Sequence, residues 1–227
     1  MNVSVIMATY NGEKYLREQL NSILCQINEN DEIIISDDGS NDNTLKIIKE
    51  YMNDYKNIFL YSSHNKGASR NFLDTINLAS KEIIILSDQD DIWLDGKVRK
   101  TKKFFEKNNN IKLLTHNFIL IDEYGSEYSE KNILNLKHGY ISNLIKSCFW
   151  GCTMAFTKDF IDFFKTDSNI IAHDQYISLI AEKHKVSSFF NETLIQHRVH
   201  SRNVSKKLKL LDKIRYRFNL IRNTIFK

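Results

Sequence analysis

A chain of 227 residues, 42% hydrophobic and 26% charged, is too apolar for a disordered segment, and one compact α/β domain with a small appendage accounts for its length. No run approaches the roughly 18 apolar residues of a membrane-spanning helix, and no repeat of solenoid period is visible. The formal charge of +4 is local: residues 206–227 hold eight Lys and Arg against Asp212 alone, a net of +7, so residues 1–205 carry −3.

The opening MNVSVIMATYNG lacks the basic and long apolar regions of a signal peptide and reads as a strand over residues 3–8. Residues 13–26 follow as a helix, with Tyr15, Leu16, Leu20, Ile23 and Leu24 as its apolar stripe. A second strand, 32–36, runs into DDGSNDNT, where Asp42 or Asn43 can cap a helix over 45–53. Residues 58–62 make a third strand, 71–80 a helix and 82–87 a fourth strand. This βαβαβαβ alternation, with strands apolar at successive positions, predicts a mostly parallel sheet covered by helices on both faces.

Beyond residue 91 the alternation weakens. A basic amphipathic helix is expected over 96–108, a strand over 111–122, a helix over 140–147 and a strand over GCTMAF, 151–156. Helices near 159–164 and 174–183 precede extended segments through Val199. No linker interrupts residues 1–205, so 1–95 and 96–205 are read as halves of one domain, with 206–227 as a basic amphipathic tail. Cys25, Cys148 and Cys152 are too few for a disulfide framework and suit a reducing compartment.

In open sheets of this kind ligands bind beyond the carboxyl ends of the strands. Three polar clusters fall there: Thr9–Asn11 after the first strand, Asp37–Ser40 after the second and SDQDD, 87–91, after the fourth. Three carboxylates in four positions repel one another unless a cation sits among them, and Mg²⁺ or Mn²⁺ prefers such oxygen ligands. A metal held there can bridge the oxygens of a diphosphate. Asp37 or Asp38 can accept the ring N–H of uracil or thymine, and Tyr10 offers an aromatic face for the base.

Together VSVIMATYNGEKYLREQLNSILCQ, IIISDDGSNDNT, NKGASRN and SDQDDIW resemble the nucleotide-sugar-binding half of family 2 glycosyltransferases with the GT-A fold. GCTMAF, AHDQY and HRVHSRNVS resemble the bacterial rhamnosyltransferase-like branch, and the likeness covers residues 2–205. The resemblance implies a GT-A-type Rossmann-like sandwich and a metal-dependent inverting transfer of a sugar, rhamnose included, from a dTDP- or UDP-sugar to a cell-surface glycan. Tyr10 and Asp38 then hold the nucleobase, Thr9 and Asn11 shape the loop, and Arg70 lies near the diphosphate. Asp88 faces ribose and metal, and Asp90 is the main ligand to Mn²⁺ or Mg²⁺. His200 adds a metal ligand, with Arg198 and Arg202 in the segment closing over the diphosphate. Asp174, preceded by His173, takes the place of the general base, and Trp150 is the acceptor-side aromatic. Ala8 departs from the proline or threonine of many relatives, which removes a hydroxyl contact to the base.

In the tail, Leu211, Ile214, Phe218, Ile221 and Ile225 recur at three- and four-residue spacing opposite Lys and Arg, as in a membrane-surface helix or a helix packed on the domain. The expected partners are therefore donor, lipid-linked acceptor and membrane surface, with the protein cytoplasmic and peripheral to the inner face of the plasma membrane. No nucleic-acid-binding motif is present. Two rival functions use similar parts. A sugar-phosphate nucleotidyltransferase requires a Gly-rich loop after the first strand, where ATYNGEKY has one glycine. A non-catalytic nucleotide-sugar-binding protein keeps the aspartates without a working base.

Overall fold

The computed structural model describes residues 1–63, 66–127, 138–164, 170–201 and 210–225, with only the backbone of 210, 211 and 213. Its strands form a single sheet in the order β3-β2-β1-β4-β7-β6-β8-β5. β1 (Val3–Thr9), β2 (Glu32–Asp37), β3 (Ile58–Ser62) and β4 (Ile83–Ser87) are parallel, with β1 between β2 and β4. β7 (Met154–Thr157) runs antiparallel between β4 and β6 (Leu113–Ile121). β8 (Ser187–Arg198) lies parallel to β6, and the short β5 (Ile92–Trp93) pairs with its other edge. The second half thus extends the same sheet, because strands 113–121 and 187–198 find their hydrogen-bonding partners there.

Side chains alternate between two cores. Val5, Met7, Ile33, Ile35 and Ile85 pack under α1 (Leu16–Leu24), α2 (Thr44–Asp54) and α4 (Lys97–Lys107). Ile6, Ile34, Ile84 and Leu86 pack under α3 (Ala68–Ile76) and α6 (His173–His184). A strand buried on both faces has no polar side, which is why these runs are continuously apolar. The remaining helices are α5 (Tyr140–Ile145) and α7 (Leu210–Ile225), and α7 sets Tyr216 and Leu220 into the second core.

Several boundaries differ from expectation. α1 starts at Leu16 rather than residue 13 because Glu13 belongs to a loop contact, its carboxylate accepting from the backbone and side-chain amides of Asn43 at 2.9 and 2.7 Å. α3 spans Ala68–Ile76, earlier than the predicted 71–80. The predicted strand at 151–156 begins as a 3-10 turn, Gly151–Thr153, and the predicted helix near 159 is a 3-10 turn, Lys158–Phe163. Gly151 explains the first: a Cβ there would stand 2.9 Å from His173 Nε2, so the turn passes closely over the start of α6.

Candidate active site

Loops after β1 and β2 are welded to each other. Thr9 Oγ1 donates to Asp37 Oδ2 at 2.9 Å, while Asp37 Oδ1 accepts the amides of Gly39 and Ser40 at 3.1 and 2.9 Å. Asp37 is buried and fully occupied in shaping the turn. Asp38 accepts the amides of Lys66 and Gly67, both at 2.8 Å, and so anchors the segment leading into α3. Asn11 takes the left-handed conformation, φ 48°, its Oδ1 accepting from the Asn41 amide at 2.8 Å. Between these fixed points Tyr10 is left 51% exposed at the strand end, with its ring available for stacking.

Gln89, the central residue of the acidic motif, was not singled out by sequence. Its Oε1 accepts from Tyr10 N and its Nε2 donates to Tyr10 O, each at 3.0 Å, so one amide side chain pairs with both backbone polar groups of one residue. Gly12 leaves room for it, since a Cβ at that position would meet Gln89 Oε1 at 2.2 Å. The loop carrying Asp88 and Asp90 is thereby clamped to the loop carrying Tyr10. Nothing in the sequence distinguishes this glutamine from an ordinary exposed one.

Repulsion among the aspartates is met partly from within the protein. Asp90 Oδ2 lies 2.8 Å from His200 Nε2, and buried Asp91 lies 2.8 Å from His197 Nδ1 through Oδ1, which also accepts the Arg198 amide at 3.1 Å. Asp91 therefore fastens β8 and caps no helix. Burial alone would lower the His197 imidazolium, but the charge and hydrogen bond of Asp91 lift it to about 9. Burial, then the neighbouring Asp91 and Asp90, push Asp88 up to about 8. Beneath them Lys97, brought down to about 7 by burial, donates to the Cys152 carbonyl at 3.1 Å and lies 4.3 Å from the Trp93 ring centre.

Asp88 and Asp90 fit a hard divalent cation, with His200 Nε2 close enough to Asp90 to share it. Among the described residues a different set brings its ligand atoms together: Asp88, Asp91, Cys152 and His197 each place one within 4.8 Å of the others. That set mixes oxygen, nitrogen and sulfur, and burial with the nearby Asp91 and Asp88 charges holds the Cys152 thiol well above its usual range. A protonated thiol is a poor ligand for Mn²⁺ or Mg²⁺, so the Asp88/Asp90 edge suits such an ion better.

Arg198 is 2% exposed, and its guanidinium is engaged inside the protein. It donates to Glu18 at 2.6 Å and to the Asp90 carbonyl at 2.9 Å, and lies 4.6 Å over the Tyr15 ring. Tyr15 also packs on His200, ring centres 5.0 Å apart. Helix α1 thus holds the 198–200 segment against the acidic loop, a role hidden in a tyrosine that reads as part of an apolar stripe. Arg70 pairs with Asp74 at 2.8 Å. Arg202 lies outside the described residues.

Asp174 sits in the first turn of α6, near enough to Asp88 for its charge to contribute to that residue's raised pKa. Its Oδ1 accepts the next amide, that of Gln175, at 2.7 Å. His173 stacks on Phe72, centres 4.4 Å apart, and burial lowers its pKa. Trp150, 41% exposed, lies 5.0 Å from Phe118 and 5.5 Å from His197, which joins it to the acidic cluster. Trp93 is a core residue.

The exposed Tyr10 and the acidic loop lie at strand ends, with the Asp174 charge near Asp88, and the family model for Glycosyl transferase family 2 matches residues 4–164. The chain belongs to glycosyl transferase family 2. It is 42% identical over 109 residues to the dTDP-rhamnosyl transferase RfbG of Shigella flexneri, covering 45% of this chain and 38% of that one. It is 31% identical over 150 residues to the Escherichia coli UDP-Glc:alpha-D-GlcNAc-diphosphoundecaprenol beta-1,3-glucosyltransferase WfgD, covering 66% and 57%. The solved structure of S. aureus TarS 1–349 with UDP-GlcNAc superposes with a TM-score of 0.76 at 18% identity, over 100% of this chain and 68% of that one. The fold is the GT-A type, and the chain spans only about half the length of these curated relatives.

Proposed function

We propose that this family 2 domain transfers a sugar from a nucleotide diphosphate to a hydroxyl of a growing surface glycan, with inversion at the anomeric carbon. The carrying observation is that Tyr10, Asp88 and Asp90 follow the ends of neighbouring strands and that Asp174 is close enough for its charge to act on Asp88. Tyr10 stacks on the base, and Asp38 faces it from the loop that it fixes. Arg70 and Arg202 neutralise the diphosphate, while Arg198 keeps His200 beside Asp90. Asp88, Asp90 and His200 hold Mn²⁺ or Mg²⁺, which when bound takes up negative charge on the leaving diphosphate.

Asp174 removes the proton of the acceptor hydroxyl. The freed oxygen attacks the anomeric carbon, the bond from that carbon to the diphosphate oxygen breaks, and its electron pair leaves with the nucleotide. Trp150 and His173 border the acceptor. Likeness to the Shigella protein favours a dTDP-rhamnose donor, a UDP-hexose being the next choice. Likeness to the E. coli protein supports a lipid-linked acceptor met at the inner face of the plasma membrane.

The test is a panel of nucleotide sugars screened for metal-dependent binding, then for turnover with a lipid-linked acceptor, using the protein and Asp174→Asn. Transfer by the wild type and its loss in a variant that still binds donor support the reading. Donor binding without any turnover, with suitable acceptors present, favours a binding module instead.

A further inference from the structure

Helix α7 carries its apolar stripe on the side away from the domain. It meets the core through Tyr216, Leu220, Asn223 and Thr224, all buried, so half of its packed face is polar. Ile214, Phe218 and Ile225 are instead 45, 69 and 45% exposed. At about 100° per residue they stand roughly 150° from the packed face. An amphipathic helix that merely covers a domain shows the reverse arrangement.

Helix α5 continues the stripe. Arg217 of α7 donates to the Ile145 carbonyl at 2.7 Å, and the hydroxyls of Tyr140 and Thr224 are hydrogen-bonded. Ile141 and Ile145, one turn apart, are 72 and 63% exposed. Around this apolar ground the exposed charges include Arg215, Arg222 and Lys146 against Asp212, and residues 206–227 carry a net +7.

We infer that the outer faces of α5 and α7 together form a docking surface for an anionic lipid bilayer, with isoleucine and phenylalanine entering the acyl boundary and arginine and lysine meeting lipid phosphates. Charge decides the occupant, since a second copy of this face would set its basic residues against like charges. This deepens the proposed function and rests on it for its purpose: α5 is tied to the residue after the proposed base, Gln175 Nε2 donating to the Asn143 carbonyl at 2.9 Å. Tyr216, on the packed face of α7, also senses the Asp174 charge. The bilayer then lies on the Asp174 side of the cleft, where a lipid-linked acceptor would arrive.

The experiment is co-sedimentation of the 227-residue chain with vesicles of phosphatidylcholine alone or mixed with phosphatidylglycerol. Binding is expected to the anionic vesicles only. Phe218→Ser and the pair Ile141→Ser/Ile145→Ser should each weaken it about tenfold or more, and Arg215→Gln or Arg222→Gln about fivefold. Melting temperatures should stay unchanged, since the replaced apolar groups face solvent. Equal binding to neutral vesicles, no binding, or indifference to the α5 pair overturns the composite surface, as does concentration-dependent dimerisation abolished by the same substitutions. Asp90→Asn should bind vesicles normally. Vesicle binding by a protein that transfers no sugar would sink the proposed function and leave this surface standing.

Discussion

The two walls of the cleft are built on different principles. On the donor side each loop is held by others: Asp37 by Thr9 and Ser40, Asp38 by Lys66 and Gly67, Tyr10 by Gln89. On the opposite wall Asp174 accepts from its neighbouring amide, and Trp150 stands half exposed. A multiply tied side beside Tyr10 and a sparsely tied side beside Asp174 match the roles proposed for them, nucleotide binding for the first and proton removal for the second. Under the proposed function, substitutions on the first wall act through geometry, and those on the second act directly on chemistry.

The largest test of that contrast is Asp174→Asn. Turnover should fall by about 10²–10⁴ with donor KM nearly unchanged, which is the usual worth of a general base. A KM effect of similar size would place Asp174 on the donor wall.

Next comes the clamp. Gln89→Ala removes two hydrogen bonds worth about 1 kcal/mol each, so donor KM should rise roughly ten- to thirtyfold with kcat less affected. Gly12→Ala displaces the same side chain and should reproduce the effect. Because both act on one clamp, the double variant should be little worse than either single one. Full additivity would show that the clamp does not position Tyr10.

Metal removal and pH give a third test. Asp88, raised to about 8, resists ionisation in the folded protein, so without metal stability should decline as pH rises from about 4 towards 8. His197 has its pKa raised to about 9, so its stabilisation is complete below about 6.5 and is lost as pH climbs through 9. Thermal melts in EDTA should therefore fall between pH 6 and pH 9. Mn²⁺ should raise the melting temperature more at pH 8 than at pH 6, because binding requires the Asp88 proton to leave. In His197→Gln the pH slope should flatten.

Smallest is the effect of Thr9→Val, which leaves Asp37 one donor short at a cost of about 1–3 kcal/mol. It should lower the melting temperature and leave kcat intact, since Thr9 serves the loop alone.

The alternating fold and the acidic loop were legible because they depend on local pattern. Largely apolar runs such as 3–7 and 83–86, and turn residues such as Gly39, reveal themselves within a few positions. The reading was weaker where partners are distant. Tyr15 looked like one more apolar stripe residue, although it carries Arg198 and His200 on its ring. His197 drew no ligand assignment, and only the pairing of β5 with β8 brings it to Asp91.

The alternation of the first four strands with helices, the aspartates at strand ends and the family motifs are all readable from the sequence alone, because hydrophobic pattern and turn chemistry are written residue by residue. Which imidazole meets which acid, that Gln89 clamps Tyr10, and that Ile214, Phe218 and Ile225 of α7 turn outward depend on tertiary contacts. Such choices depend on distances between residues about a hundred positions apart, such as Asp90 and His200, and no local pattern encodes those distances.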